Sequence, residues 1–295
     1  MSQKIICVFL LSEKSSGSSL LFRYLRTSLN LKKYPQSRHE QHETLFWTKA
    51  ASVLMKPQLD MLGSEVPIPA VKARQDLESF LGENLNEDFT KLSDDDLIFN
   101  GWYKLLQKYG PVFIEKSPHH LMQMSAINLM LEFAHRYRER VSVKFIGLVR
   151  NPYDTACSQF RRWGIPVNAM LSQWRVAYSN LITLKEQSVS ENDIYLLRYE
   201  EFIRNPNRTL ETIRDFIGVV SNSDDVENEP IKDSKSAKSR QLFGFSLDKQ
   251  TIDLAKSLGY SDDEMISPKS SVWPCYRIYI SFIRAPLAGL YRLFS

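Results

Sequence analysis

The sequence predicts an α/β fold in which a central parallel sheet is covered by helices on both faces. Four short apolar runs are each followed at once by a helical pattern, and this alternation is typical of parallel sheets. The runs lack a period-two alternation of apolar and polar residues, as expected for strands buried on both faces. Ligands of such sheets bind beyond the carboxyl ends of the strands. The strand ends are therefore where a functional site is expected.

The composition is that of a globular protein and excludes several classes. The 295 residues are 43% hydrophobic and 24% charged, which excludes disordered, collagen-like and coiled-coil chains. The 38 basic and 34 acidic side chains give a net charge of +4, which is too weak a balance to indicate a nucleic-acid partner. Aromatic residues are spread along the whole length, which favours a single domain over residues 1–295.

The cysteines and the apolar segments indicate where in the cell the protein is located. Cys7, Cys157 and Cys275 are isolated, without the spacing of a metal site or a disulfide framework, which favours buried thiols in a reducing compartment and no metal. The apolar run over residues 5–11 is too short for a convincing signal peptide. No uncharged apolar window of about 18 residues suits a membrane span. We expect a cytoplasmic protein.

The first strand, over residues 5–11, runs into a loop rich in serine. The loop is Ser15, Ser16, Gly17, Ser18 and Ser19, and a helical pattern follows it directly. A glycine that permits close backbone approach, together with a helix N-terminus, favours a bound anion such as phosphate. A tight turn is an equally open interpretation, because Gly and Ser dominate turns in general. The GxxxxGK[ST] loop of ATP and GTP sites is absent, since no lysine follows Gly17.

Three further strands are predicted along the chain. They cover residues 111–115, 141–149 and 194–197, and an amphipathic helix is predicted over 207–218. The segment 31–100 has little strand signal and several prolines, which predicts helices and loops inserted beside the sheet. We assign this insertion to contact with the substrate.

The end of the third strand adds a second anion-binding feature. Arg150 follows the strand and Ser158 comes eight residues later, about two turns into a helix that begins near Pro152. The arginine fork and a serine hydroxyl on the facing turn are suited to one shared phosphate. The alternative is an ion pair between Arg150 and Asp154.

Four segments together resemble a known family. SSGSSLL, EKSPHHL, FIGLVRNPYDTACS and LRYEEFIRNPNRTLETIRDFIG occur in the order seen in sulfotransferases that use 3′-phosphoadenosine 5′-phosphosulfate (PAPS). The resemblance extends from about residue 5 to 220. It implies a P-loop-like α/β fold, transfer of a sulfonate group to a hydroxyl or amine, release of 3′-phosphoadenosine 5′-phosphate (PAP), and no required metal.

The resemblance also assigns the donor site. It implies that the loop around Ser16 to Ser19 holds the 5′-phosphosulfate, that Arg150 and Ser158 hold the 3′-phosphate, and that Tyr199 contacts the adenosine. The match departs at Ser15, where many members have Lys or Arg. Lys14, one position earlier, is a candidate to replace that cation.

The family closes its donor site with a late basic loop that contains glycine. The segment SKSAKSRQLFG resembles it, with Lys235, Lys238, Arg240 and Gly244 as candidates. An ordinary solvated loop is the alternative for such a basic run.

Two side chains are candidates for the chemistry itself. EKSP resembles the EKTP segment of carbohydrate sulfotransferases, which implies that Lys116 is a cation facing the transferred group. An exposed surface lysine is the alternative. ETLFW resembles the E-x-x-F-F segment that carries a catalytic glutamate, which implies that Glu43 is the general base. The competing bases are His39, His42, His119 and His120.

The C-terminal segment 273–295 is amphipathic and rich in aromatic residues. Arg277, Arg284 and Arg292 would align along one helical face, and Pro274 and Pro286 are expected to interrupt the helix. A helix that docks on the core is favoured over one that lies on a membrane surface.

We therefore predict a metal-independent sulfotransferase that uses PAPS. Its acceptor is a carbohydrate, lipid or small molecule, and the sequence does not select among them. A P-loop nucleotide or nucleoside kinase and a non-catalytic nucleotide-binding module are the alternatives. A kinase of this kind would need the GxxxxGK[ST] loop, which the sequence lacks. A non-catalytic module is suggested by Ser15, which stands where the family usually has a basic residue.

Overall fold

A computed structural model describes residues 4–39, 42–56, 68–187, 193–219 and 240–284. Four residues singled out in the sequence analysis lie outside these ranges, namely Lys235 and Lys238 of the late basic loop and Pro286 and Arg292 of the C-terminal segment.

The core is a four-stranded parallel sheet, and all four predicted strands are confirmed. The strands are β1 (Ile5–Ser12), β2 (Val112–Glu115), β3 (Val141–Val149) and β4 (Ile194–Arg198). Their spatial order is β2-β1-β3-β4. β1 is therefore central, which explains why its sequence is a continuous apolar run.

The register brings the four strand ends to one edge of the sheet. Ser12 lies beside Leu148, and Val149 lies beside Arg198. Glu115, the last residue of β2, lies beside Phe9 of β1. The polar residues that follow the strands therefore meet at the carboxyl edge.

Helices cover both faces of the sheet, as the α/β prediction requires. Cys7, Phe9 and Leu11 of β1 belong to one buried apolar cluster, whereas the alternate residues Ile6, Val8 and Leu10 belong to a second one. The helices of the described residues are α1 (Ser18–Ser28), α2 (Phe46–Val53), α3 (Ala70–Leu85), α4 (Gly101–Tyr109), α5 (Met124–Arg136), α6 (Pro152–Trp163), α7 (Val167–Gln187), α8 (Tyr199–Arg204), α9 (Pro206–Ile217), α10 (Lys249–Ser257) and α11 (Trp273–Tyr279).

The described part of the segment 31–100 contains helices and loops and no strand. It contributes α2, α3 and a π-helical turn at Asp96–Asn100. Phe46 and Trp47 of α2 are fully buried and pack against Trp102 of α4, the first in a tilted and the second in an edge-to-face arrangement. These aromatic side chains therefore fix the insertion to the core.

The described part of the C-terminal segment packs on the core through one side. Trp273 contacts Phe160, and Ile280 in a π-helical turn at Ile280–Arg284 is fully buried. The expectation that Pro274 interrupts the helix was wrong: it stands in the first turn of α11, where a missing N–H costs nothing. Cys275 is exposed, against the expectation of a buried thiol, because one face of α11 is turned to solvent.

Within the described part of the chain, every helix is either too short or too polar to cross a bilayer.

Candidate active site

The loop after β1 is shaped by one glycine. Gly17 has a φ of 91° and precedes the first turn of α1. A Cβ at this position would overlap the ring of Tyr199, which follows β4. The loop therefore needs glycine both for its backbone conformation and for the close approach of that ring.

Buried side chains of two helices stabilise this loop by hydrogen bonds. The hydroxyl of Tyr178 on α7 donates to the carbonyl of Leu148 at 3.0 Å, and it lies 2.9 Å from the hydroxyl of Ser16. Gln159 on α6 donates to the carboxylate of Glu13 at 2.8 Å and to the carbonyl of Lys14 at 2.9 Å. Burial raises the pKa of Glu13 above its usual value.

Arg150 connects the ends of three strands. Its Nη1 donates to the carbonyl of Ser15 at 2.8 Å, and its guanidinium lies 4.6 Å from the centre of the Tyr199 ring. Its Nε is buried without a hydrogen-bond partner. A buried donor of this kind is costly unless something pairs with it, so Arg150 keeps hydrogen-bonding capacity for an anion.

Asp154, the alternative partner of Arg150, is paired elsewhere. Both of its carboxylate oxygens accept hydrogen bonds of 2.6 Å from Arg240. These hydrogen bonds raise the pKa of Arg240 further above its usual value. The structure thus anchors Arg240 beside the first turn of α6, and its role toward the donor stays a prediction.

Ser158 lies on α6 as the sequence predicts. The helix begins at Pro152, and the side chain of Asn151 caps it by accepting hydrogen bonds from the backbone of Tyr153 and Asp154. Ser158 is the one residue of 151–160 that is not buried. Its shared contact with Arg150 on a phosphate stays a prediction.

The side chains of Lys116 and Glu43 contact each other beside the serine loop. The ammonium of Lys116 donates to the carboxylate of Glu43 at 2.6 Å and to the hydroxyl of Ser19 at 3.3 Å. The side chain of Lys116 is 0% exposed and that of Glu43 is 19% exposed. The alternative of a surface lysine was therefore wrong. The candidate cation, the candidate base and the serine loop form one cluster.

A buried serine clamps the segment that follows Glu43. The hydroxyl of Ser117 accepts the backbone N–H groups of Thr44 and Leu45, both at 3.1 Å. It donates in turn to the carboxylate of Glu115 at 2.5 Å. Leu45 has a φ of 52°, which an L-residue rarely adopts, so the clamp fixes an otherwise unfavourable turn.

The carboxylate of Glu115 is the centre of this buried network. Besides Ser117, it accepts hydrogen bonds from the hydroxyl of Thr44 at 2.9 Å and from Nε2 of His120 at 3.1 Å. The other ring nitrogen of His120 lies 2.9 Å from the hydroxyl of Thr48. His120 has both ring nitrogens engaged in the core and is therefore unsuited to be the base.

Two other histidines lie near Lys116. Burial, with the charges of Lys14, His120, His39 and Lys116, lowers the pKa of His119 well below its usual value. Its Nδ1 is buried without a hydrogen-bond partner. His42 has its Nε2 at 3.3 Å from Arg26, and burial lowers its pKa as well.

Lys14 reaches the same region. Its backbone N–H donates to the carboxylate of Glu13 at 2.7 Å, and its charge acts on His119. Lys14 therefore lies within electrostatic range of His119, and its replacement of a missing basic residue stays a prediction.

The residues present fit an anionic, phosphate-bearing donor. The unpaired Nε of Arg150, the glycine turn at Gly17 and the buried Lys116 surround one edge of the sheet. Within the described residues, no group of three or more His, Cys, Asp and Glu side chains is arranged to hold a metal ion.

Sequence reasoning missed the supporting residues Tyr178, Gln159, Glu115 and Ser117. The last two stand beside Lys116 in a quoted motif, so a polar pair directly at a strand end was an available signal. Tyr178 stands 162 positions from Ser16 in a helix without a motif, and no local signal marks it.

A family model identifies the family of this chain, and solved structures show its fold. The family model described as "Sulfotransferase family" matches residues 8–223. The chain is similar in structure to the sulfotransferase domain of the Synechococcus PCC 7002 olefin synthase, with a TM-score of 0.56 and 19% identity over 88% of this chain and 97% of that one. It is also similar to the sulfotransferase domain of the curacin biosynthetic pathway, with a TM-score of 0.55 and 20% identity over 88% and 99% of the two chains. No curated protein sequence matches it significantly.

Proposed function

Because the chain belongs to the sulfotransferase family, we propose that it transfers a sulfonate group from PAPS to a hydroxyl or amine of a carbohydrate, lipid or small-molecule acceptor. The observation that carries the proposal is the cluster in which Lys116 contacts both Glu43 and Ser19. A cation and a carboxylate beside a loop that is proposed to bind the anionic donor support this proposal, since transfer of an anionic group to a hydroxyl needs both.

The donor would be held at both of its phosphate-bearing ends. The loop from Ser15 to Ser19 and the first turn of α1 present backbone N–H groups suited to the 5′-phosphosulfate. Arg150 and Ser158 would hold the 3′-phosphate, and the Tyr199 ring would contact the adenosine. Arg240 would reach the same site from the late loop. When bound, PAPS supplies an activated sulfonate with PAP as its leaving group.

Glu43 acts on the acceptor in this proposal. Its carboxylate accepts the proton of the attacking hydroxyl while the new oxygen–sulfur bond forms in line with the bond that breaks. Lys116 lies against the charge that develops on the sulfonate and the bridging oxygen, and Lys14 adds a second positive charge nearby. Neither role requires a metal.

Calorimetric titration tests the donor assignment. We expect PAP to bind without magnesium, more tightly than ADP or ATP, and Arg150→Ala to weaken that binding. Preference for ATP with magnesium would instead establish a kinase. Binding of PAP without sulfonate transfer from PAPS to any acceptor of a broad panel would establish a non-catalytic module.

A further inference from the structure

The carboxylate of Glu200 joins two strand ends that carry proposed donor contacts. Glu200 is the second residue of α8 and directly follows Tyr199 at the end of β4. Its Oε1 accepts a 3.0 Å hydrogen bond from the backbone N–H of Asn151, which directly follows Arg150 at the end of β3. One hydrogen bond therefore links the chain next to Tyr199 with the chain next to Arg150.

Asn151 is placed so that its position affects several donor contacts at once. It shares a peptide bond with Arg150, whose guanidinium lies 4.6 Å from the centre of the Tyr199 ring. Its side chain is buried and accepts hydrogen bonds from the first turn of α6, the helix that carries Ser158. A displacement of Asn151 would therefore move Arg150, and the start of α6 with it, relative to Tyr199.

The second oxygen of Glu200 is held by a segment late in the chain. Oε2 accepts a 2.9 Å hydrogen bond from the hydroxyl of Tyr260. Tyr260 is buried, and the guanidinium of Arg198 lies 4.2 Å from the centre of its ring. The carboxylate thus has a hydrogen-bond donor at each oxygen, so its position relative to the ends of β3 and β4 is fixed by the fold.

The same late segment also supports Asn151 directly. The backbone carbonyl of Glu264 accepts a hydrogen bond of 2.8 Å from Nδ2 of Asn151 and one of 3.4 Å from Nη1 of Arg240. The carboxylate of Glu264 pairs with Arg198, the last residue of β4. Tyr260 and Glu264 therefore connect the ends of β3 and β4 with Arg240 of the late loop.

Glu200 is suited to position the donor contacts and not to touch the donor. Both of its oxygens already accept hydrogen bonds, and a carboxylate repels a phosphate. The hydrogen bonds of a guanidinium to a phosphate depend on distance and direction. The placement of Arg150 relative to Tyr199 therefore decides how much a 3′-phosphate contributes to binding.

We propose that Glu200 is a positioning residue of the donor site: it fixes Arg150 relative to Tyr199 and thereby sets how strongly the protein prefers a nucleotide with a 3′-phosphate over one without it. The inference rests on the proposed function and adds a determinant of donor specificity outside the residues that would touch the donor. Because Glu200 acts through Arg150, its effect disappears once the guanidinium is removed.

Paired nucleotides test the inference. PAP and adenosine 5′-phosphate (AMP) differ only in the 3′-phosphate, so the ratio of their dissociation constants, measured by calorimetry on the full chain, gives its contribution. We expect Glu200→Ala to lower this preference for PAP by about 10-fold, which is no more than removal of the Arg150 guanidinium itself would cost. Glu200→Gln should retain most of the preference, because its amide oxygen is able to accept from Asn151 and its amide nitrogen to donate to Tyr260.

A double variant shows whether Glu200 acts through Arg150. In the Arg150→Ala background, Glu200→Ala should lower the preference no further, whereas independent effects would add. Glu201→Ala is the matched control, because Glu201 is the next residue of α8 and is exposed. Tyr260→Phe removes only the hydroxyl that supports Oε2 and should lower the preference by about 2-fold to 5-fold, so the test stands even where Glu200→Ala does not fold.

Equal losses of affinity for PAP and AMP in Glu200→Ala would show a purely structural role and overturn the inference. An unchanged preference in both Glu200→Ala and Tyr260→Phe, a further fall in the double variant, or the same fall in Glu201→Ala would overturn it as well. Failure of the wild-type protein to bind PAP, or to prefer it over AMP, would overturn the proposed function instead.

Discussion

The ammonium of Lys116 donates a 2.6 Å hydrogen bond to the carboxylate of Glu43, which stands 73 positions earlier in the chain. The pair joins the carboxyl end of β2 to the insertion, and the Lys116 side chain is fully buried. Removing one partner of such a pair leaves an uncompensated charge, so the two residues are expected to depend on each other. Their contact also means that the proposed base and the proposed cation are held together in the folded protein.

Glu43→Gln separates the base from the rest of the site. Glutamine keeps the shape of the side chain but cannot take a proton from the acceptor. We expect kcat for sulfonate transfer to fall by about 100-fold to 10,000-fold, with PAP affinity nearly unchanged. Steady-state kinetics and calorimetry measure the two effects. Glu139→Gln, at a carboxylate that is 83% exposed, is the control. An unchanged kcat in Glu43→Gln would transfer the role of base to His119.

Arg150→Ala tests the 3′-phosphate contact. A charge-assisted hydrogen bond of the kind its unpaired Nε offers contributes about 1.5 to 3 kcal/mol. We therefore expect PAP affinity to fall by about 10-fold to 100-fold. Arg162→Ala is the matched control, since Arg162 is exposed near the end of the following helix. Equal PAP affinity in wild type and Arg150→Ala would contradict the assignment.

More of the fold than of the candidate site was predictable from the sequence. All four strands were predictable because buried parallel strands are continuous apolar runs, as β1 shows. Arg150 became a candidate because it directly follows a predicted strand, whereas Lys116 and Tyr199 became candidates through the family resemblance. Each of the three directly follows a strand in the structure. The contact of Tyr178 with Ser16 was not predictable, since packing of α7 against the loop sets it and no local pattern encodes it.

Gly17→Ala measures how closely Tyr199 approaches the serine loop. Alanine at a φ of 91° is strained, and its Cβ would also overlap the Tyr199 ring. Gly218→Ala is the matched control, because Gly218 has a φ of 74° and open space where a Cβ would stand. We expect about 1 to 2 kcal/mol of destabilisation from backbone strain in both variants. A further 1 to 3 kcal/mol, roughly, is expected from overpacking in Gly17→Ala alone.

Urea denaturation measures these losses, and calorimetry is expected to show weaker PAP binding for Gly17→Ala only. The double variant Gly17→Ala/Tyr199→Ala should recover the overpacking part of the loss. Equal destabilisation by the two single alanine variants would mean that the ring does not constrain the loop.

Glu115→Gln tests the clamp behind Glu43. Oε1 of Glu115 accepts hydrogen bonds from Ser117, Thr44 and His120 at once. Glutamine keeps an acceptor in that place only as a neutral amide oxygen, which weakens all three hydrogen bonds. We expect a loss of about 1 to 3 kcal/mol of stability in urea denaturation. We also expect kcat to fall while PAP affinity holds, because the clamp positions Glu43 and not the donor loop. A loss of stability without any fall in kcat would reduce Glu115 to a structural residue.

The pH dependence of stability tests the environment of His119. Burial and neighbouring cations lower the pKa of this imidazole well below its usual value near 6.5. As the pH falls, the imidazole therefore takes up a proton in the unfolded chain before it does so in the folded protein. The stabilisation is fully present above about pH 6.5 and is lost on acidification. The free energy of unfolding should fall by at most about 1.4 kcal/mol per pH unit from this group. Glu13 and Glu200, whose pKa values burial raises, act in the opposite direction. The test therefore compares how the free energy of unfolding changes with pH in the wild type and in a His119 variant.

His119→Gln cannot take up that proton, so its free energy of unfolding should fall less than that of the wild type between pH 7.5 and pH 5.5 in urea denaturation. His135→Gln, at an exposed histidine on α5, is expected to keep the wild-type slope. Identical slopes for His119→Gln and wild type would mean that His119 is solvated in the folded protein. A neutral, half-buried His119 is in turn the form that is able to accept a proton, so an unchanged kcat in Glu43→Gln combined with a loss of kcat in His119→Gln would assign the role of base to His119.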